Sequence, residues 1–204
     1  MKWILPLIGI LAFAVSNSTQ IQTDTSLIVP RKSVGQLSLG ASRADVEQVF
    51  PFKRNMDQET TYATCGRTEI NWVYVNGGRP EWSNVFVYLR GSKVFQIESA
   101  LPRFHTTEGI KPLSPPDLVK EHYAGLEAYA LHPSGGQMFD FHDFIYWVSR
   151  EQGIAFELAY YRKARLRLVS KIIVFEPNTA FFPEGCIVTP QKWNKLPPYS
   201  VEDP

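Results

Sequence analysis

The densest group of side chains able to bind a metal or move a proton is Asp140-Phe141-His142-Asp143. On a β-strand, Asp140 and His142 would project from one face and Asp143 from the other. Two ligands on one strand can begin a metal site, but a third must come from another segment. We favour the alternative, a solvated strand face with Phe139 and Phe141 turned inward. The sequence therefore predicts no metal and no cofactor.

Other residue patterns that indicate a reaction are missing from the sequence. His105, His122 and His132 lack the spacing of zinc-binding helices, and we expect His122 to pack in the core from the apolar side of a helix. The chain has no nucleophile elbow, phosphate-binding loop or dinucleotide fingerprint. A binding protein is favoured over an enzyme, and a hydrolase or metal-dependent enzyme using Asp140 and His142 stays open as an alternative.

The charge of the chain excludes one class of partner and suggests others. Lys and Arg total 21 and Asp and Glu total 20, a balance poorly suited to neutralising nucleic-acid phosphates. Lys163, Arg165 and Arg167 alternate with apolar residues, which predicts a positively charged strand face. Such a face suits an acidic protein, lipid phosphate or anionic glycan. Protection of an edge strand by charge explains the pattern equally well.

Aromatic side chains provide the second candidate binding surface. Trp72, Tyr74, Trp82 and Tyr88 fall in or beside predicted strands of one antiparallel meander. One layer of helix cannot cover both faces of a sheet, so we expect some of these rings on an exposed concave surface. Coverage by loops or by the rest of the chain is the alternative. The predicted partner is a protein, and the oligomeric state stays open.

The elements that position these residues follow from local signals. Gly40 permits a sharp turn, Ser42 and Asp45 form a capping-box pair, and Pro51 ends the first helix. A second helix is predicted with Ser114 as N-cap and Pro115 at its first position. Alternating and apolar runs predict a short half-buried strand around Leu37 and Leu39 and six longer strands: Ile70–Val75, Asn84–Leu89, Lys93–Glu98, Met138–Val148, Ile154–Tyr161 and Leu166–Phe175.

These elements predict an α+β fold of two tandem units, each a short helix or helical hairpin packed on an antiparallel β-meander. The predicted boundaries are residues 27–104 for the first unit, 105–177 for the second and 178–204 for a proline-rich tail. The alternative to a repeat is a chance similarity between two ordinary segments that each contain a helix and a meander.

The N-terminus predicts export. Residues 1–18 read as a signal peptide, since the apolar run from Trp3 to Val15 is too short to span a bilayer. An uncleaved anchor is the alternative, and no integral span is expected in the mature chain. We expect a periplasmic or extracellular location. There Cys65 and Cys186 would form a disulfide, with free or reactive thiols as the alternatives.

The segment from Gly35 to Val46 resembles the strand–glycine–helix opening of the β-lactamase inhibitory protein class and of related small outer-membrane assembly lipoproteins. The resemblance implies a helical hairpin on a few antiparallel strands, twice in tandem in the inhibitor, and transfers no functional residue. We therefore expect an exported, non-catalytic protein-binding module that is inhibitor-like or envelope-associated. A structural envelope protein is a further alternative.

Overall fold

The computed structural model describes residues 24–50, 59–65, 68–76, 85–131, 144–161, 165–179 and 193–201, without the side chains of 59–65, 68–76, 131 and 193. Several predictions fall outside this description: the signal peptide and the residues Trp82, Asp140, His142, Lys163 and Cys186. The pairing of Cys65 with Cys186 therefore stays a prediction.

The described residues form two helices and thirteen strands. The helices are α1 (Arg43–Val49) and α2 (Pro116–His122). The strands are β1 (Leu27–Val29), β2 (Ser33–Val34), β3 (Leu37–Ser38), β4 (Glu59–Cys65), β5 (Thr68–Asn76), β6 (Val85–Arg90), β7 (Lys93–Ser99), β8 (His105–Thr106), β9 (Glu127–Leu131), β10 (Phe144–Ser149), β11 (Ile154–Tyr161), β12 (Leu166–Phe175) and β13 (Trp193–Leu196).

One large antiparallel sheet organises the molecule. Its nine strands run in the order β13-β9-β10-β11-β12-β7-β6-β5-β4, and a four-stranded sheet has the order β3-β2-β1-β8. A helix followed by four antiparallel strands occurs twice, as α1 with β4–β7 and as α2 with β9–β12. The last strands of the two runs, β7 and β12, pair with each other. The α+β class is confirmed, and a single sheet runs through both predicted units.

Helix α1 begins as its sequence predicts. The hydroxyl of Ser42 accepts a hydrogen bond from the Asp45 amide at 3.3 Å, and the Asp45 carboxylate accepts one from the Ser42 amide at 2.7 Å. This reciprocal pair satisfies amides that the first turn of a helix leaves without partners. Gly40, at φ +79°, supplies the preceding turn that few other residues adopt.

Helix α2 begins later than predicted. Pro115 is the N-cap and the helix starts at Pro116, because the Ser114 hydroxyl accepts a hydrogen bond from the Lys111 amide at 3.0 Å and closes the preceding turn. The expectation that His122 packs in the core is also wrong: it is exposed, whereas Val119 and Tyr123 are buried.

Burial extends to both faces of the large sheet. The larger cluster, on the face that carries the helices, includes Val46 of α1 and Val119 of α2. The opposite face holds a smaller cluster of Tyr146, Val148, Ala155, Ile173 and Phe175. Tyr88 is only 5% exposed, so the expectation of an exposed aromatic surface is wrong for this residue.

Candidate functional site

A groove of about 480 Å³ lies where the start of β12 passes the start of α2. Its volume falls within the range of about 300–1,000 Å³ that is usual for ligand pockets. Three elements and one terminal segment provide its lining: Pro116 and Asp117 from α2, Tyr160 from β11, Arg165, Leu166 and Arg167 at the start of β12, and Val201. We call this feature the α2–β12 groove.

Among the described residues, three large apolar side chains are exposed, and two of them line this groove. Leu113, Leu166 and Val201 are 54%, 42% and 39% exposed and are the large hydrophobic side chains that stand out in solvent there. Leu166 and Val201 line the groove. Leu113 lies next to β12, because its amide donates to the Val169 carbonyl at 2.7 Å. The adjacent exposed side chains of Leu166 and Val201 make the groove a candidate interaction site.

Two residues near the groove have an unusual backbone conformation. Leu113 has φ +76° and Arg165 has φ +55°, the left-handed region that costs a side-chain-bearing residue roughly 1–2 kcal/mol. Both are held by backbone hydrogen bonds: Arg165 N–H donates to the Tyr161 carbonyl at 2.8 Å, and Leu113 is bound to Val169. Arg31, Asn178 and Tyr199 share this backbone conformation and do not line the groove, so the strain is not specific to it.

The predicted stripe of positive charge is not a strand face. Arg165 lies exposed in the turn before β12, so the alternation that the sequence suggests breaks there. Arg167 is in the strand but only 8% exposed. Its Nε donates to the Val201 carbonyl at 2.8 Å and its Nη1 to the Leu158 carbonyl at 3.4 Å. Arg167 therefore fixes one wall of the groove, while Arg165 is available at its surface.

Residues 193–201, which we call the C-terminal strap, supply that wall. The strap contains β13, which pairs with β9. Trp147 Nε1 donates to the Ser200 carbonyl at 2.9 Å. The Tyr199 hydroxyl donates to the Tyr123 carbonyl at 2.8 Å, and its ring packs edge-on against Trp147 at 5.4 Å between centroids. These anchors, on β10 and just after α2, hold the C-terminal strap beside the groove.

A second cluster, which we call the buried charge network, crosses five neighbouring strands on the opposite face of the sheet, from β10 to β6. Lys171 of β12 places its Nζ 3.1 Å from Glu157 Oε2 of β11 and 3.6 Å from Glu98 Oε2 of β7. The Tyr146 hydroxyl of β10 donates to Glu157 Oε2 at 2.6 Å. Gln96 Nε2 donates to Glu98 Oε1 at 2.9 Å. The hydroxyl of Tyr88 also hydrogen-bonds Glu98.

The electrostatics of the buried charge network follow from burial and from the shared lysine. Burial raises the pKa of the Glu98 carboxyl above its usual value, although Lys171 acts in the other direction. Burial alone would lower the pKa of Lys171, but attraction to Glu157 and Glu98 outweighs it and raises that pKa. Burial, followed by the nearby Glu157, raises the pKa of Tyr146. The lysine therefore stays charged at neutral pH and holds the two carboxylates together.

Within the described ranges, no group of three or more His, Cys, Asp or Glu side chains is placed to hold a metal ion. The carboxylates of the buried charge network instead have a lysine, a glutamine and hydroxyl groups as partners. We interpret the network as structural. The sequence signal that could have found it is the alternation that places Glu98 and Glu157 beside the core residues Ile97 and Phe156.

The aromatic residues predicted in β5 have a defined register but no described side chains. Trp72 pairs with Leu89 and Tyr74 with Val87 in the backbone ladder between β5 and β6. Tyr88 belongs to the buried charge network. The groove therefore contains Arg165 and Arg167 of the predicted binding residues, and Pro116, Asp117, Tyr160, Leu166 and Val201 as residues that sequence reasoning missed.

Comparison with protein-family models, with curated proteins and with solved structures finds no match for this chain. No helix among the described residues has the length and apolar character needed to cross a bilayer.

Proposed function

We propose that the protein is an exported, non-catalytic protein-binding module and that the α2–β12 groove is its binding site. One observation carries this proposal: Leu166 and Val201 stand exposed inside a groove, with Leu113 exposed nearby. Exposing apolar area costs free energy that burial against a partner would recover, at about 25 cal/mol per Å².

The walls of the groove are held in place, which supports recognition of a partner by shape. Arg167 and Trp147 bind carbonyls of the C-terminal strap, and hydrogen bonds in both directions tie Leu113 and Ser114 to Val169 of β12. A preformed site avoids part of the ordering cost of association. We propose that this binding is inhibitor-like or envelope-associated, because the segment from Gly35 to Val46 resembles the opening motif of those protein classes.

A capture experiment with groove variants tests the proposal. The mature protein is immobilised and incubated with envelope and secreted fractions of its native host, and bound proteins are identified by mass spectrometry. We expect a dominant partner that is lost from the double variant Leu166→Ser/Val201→Ser and retained by Lys32→Ser, an exposed position outside the groove lining. The two side chains are 42% and 39% exposed, so the double change should lower the free energy of unfolding by about 1–3 kcal/mol, and urea unfolding shows whether the variant remains folded. Equal capture by all three proteins, or no capture, would contradict the proposal.

A further inference from the structure

We infer that the partner of the α2–β12 groove is an acidic segment of another protein, an extended stretch that places an apolar side chain beside a carboxylate. This inference rests on the proposed function and adds the chemistry of the partner.

The first observation is the charge of the groove lining. Among the residues that the structure describes there, Arg165 and Arg167 are cationic. The Arg167 guanidinium is engaged by the carbonyls of Val201 and Leu158. Arg165 is exposed and makes no ion pair with any residue that the structure describes. A planar guanidinium of this kind binds a carboxylate through two parallel hydrogen bonds.

The second observation is that charge and apolar surface are adjacent. Arg165 and Leu166 are consecutive, both line the groove, and Val201 lies across from β12 on the strap. A partner that buries an apolar side chain against Leu166 and Val201 therefore brings its neighbouring residue close to Arg165. The acidic residue of the described lining, Asp117, would repel a carboxylate placed beside it and so helps to fix where the partner's acid lies.

The charge of the site favours a peptide over a membrane. Basic residues beside exposed apolar side chains can also bind anionic lipid, but lipid-binding segments use clusters of about 4–8 cations. The described lining of the groove has Arg165 and Arg167, and carbonyls engage the Arg167 guanidinium, so one exposed cation is matched by a single carboxylate of an extended chain. The acidic residues Glu202 and Asp203, which follow the strap in sequence, are a competing occupant that the test has to separate.

A random heptapeptide library displayed on phage provides the test, because it does not require the natural partner. The full protein is panned in parallel with Arg165→Glu and with Arg43→Glu, a matched exposed arginine on α1. We expect selected peptides with Asp or Glu beside Leu, Ile, Val or Phe for the wild type and for Arg43→Glu. The Arg165→Glu protein should lose this preference or select basic residues. For a selected peptide, Arg165→Gln should weaken binding by about five- to tenfold, measured by fluorescence anisotropy.

The outcomes separate the inference from the proposed function. If the selected peptides are apolar, lack an acidic residue and require Leu166 for binding, the inference of an acidic partner is overturned and the groove remains a binding site. Peptides that bind Leu166→Ser as well as the wild type would overturn both. Binding to phosphatidylglycerol vesicles that requires Arg165, without peptide selection, would replace the peptide with a membrane. Selection that succeeds only with Glu202→Gln/Asp203→Asn would identify the chain's own acidic residues as the occupant and overturn the inference.

Discussion

Replacing Lys171 with Met should destabilise the protein by about 2–3 kcal/mol at neutral pH. The change leaves Glu98 and Glu157, each 3% exposed, without the cation that lies 3.1–3.6 Å from them. Removing one member of a buried ion pair costs about 3–5 kcal/mol. The Lys171 side chain retains 27% exposure, so water screens part of the interaction and we take a lower figure.

Urea unfolding at pH 7 measures this loss, and a surface pair provides the matched control. Lys195 Nζ lies 3.0 Å from Glu127 Oε1, but the side chains are 66% and 37% exposed. Lys195→Met should therefore cost less than about 1 kcal/mol despite the similar distance. The loss in Lys171→Met should shrink toward acidic pH, where a protonated Glu98 no longer needs a cation. Equal losses in the two variants, or a loss that does not change with pH, would refute the burial argument.

Three further predictions concern titration, capping and the C-terminal strap. Because the pKa of Glu98 is raised, the folded state binds more protons than the unfolded state above pH 4.5. The contribution of Glu98 to the free energy of unfolding should therefore fall as pH rises toward the folded pKa. Glu98→Gln should flatten the slope of the free energy of unfolding against pH. A slope that Glu98→Gln leaves unchanged would rule this out. Ser42→Ala should lower the free energy of unfolding by about 1 kcal/mol, compared with little change for the exposed Ser38→Ala, because it removes a helix cap. Similar values for the two would show that the cap is not needed. Arg167→Met should speed amide hydrogen exchange at Tyr199, Ser200 and Val201, since it loses the bond to Val201 O, and unchanged protection there would contradict its role.

The sequence predicts those parts of the fold that depend on neighbouring residues. The Ser42 and Asp45 pair is a local signal, and the strands Ile154–Tyr161 and Leu166–Phe175 are observed as predicted. The short strands β1, β2 and β8 contain two or three residues each and carry too little alternation to be recognised, whereas β3 lies within the short strand predicted before Gly40. The start of α2 was misplaced because the Ser114 hydroxyl serves a turn and not the helix.

The candidate site depends on contacts that the sequence does not display. Glu98 and Glu157 share Lys171 only because β7, β12 and β11 are adjacent and in a particular register. The groove likewise brings together residues that are far apart in the sequence, the first being Pro116 and the last Val201. The cationic run was visible in the sequence. Arg165 is exposed and Arg167 is buried because Arg165 lies in a turn, at φ +55°, whereas Arg167 lies in β12.

Photo-crosslinking from inside the groove tests the central claim most directly. A p-benzoylphenylalanine residue is placed at position 166, within the groove lining, and in parallel at position 32, which is exposed outside it. After irradiation with native envelope and secreted fractions, we predict a discrete crosslinked protein from position 166 that excess wild-type protein competes away. Position 32 should not give that product. The same crosslinks from both positions, or a product that wild-type protein does not compete away, would contradict a binding site in the α2–β12 groove.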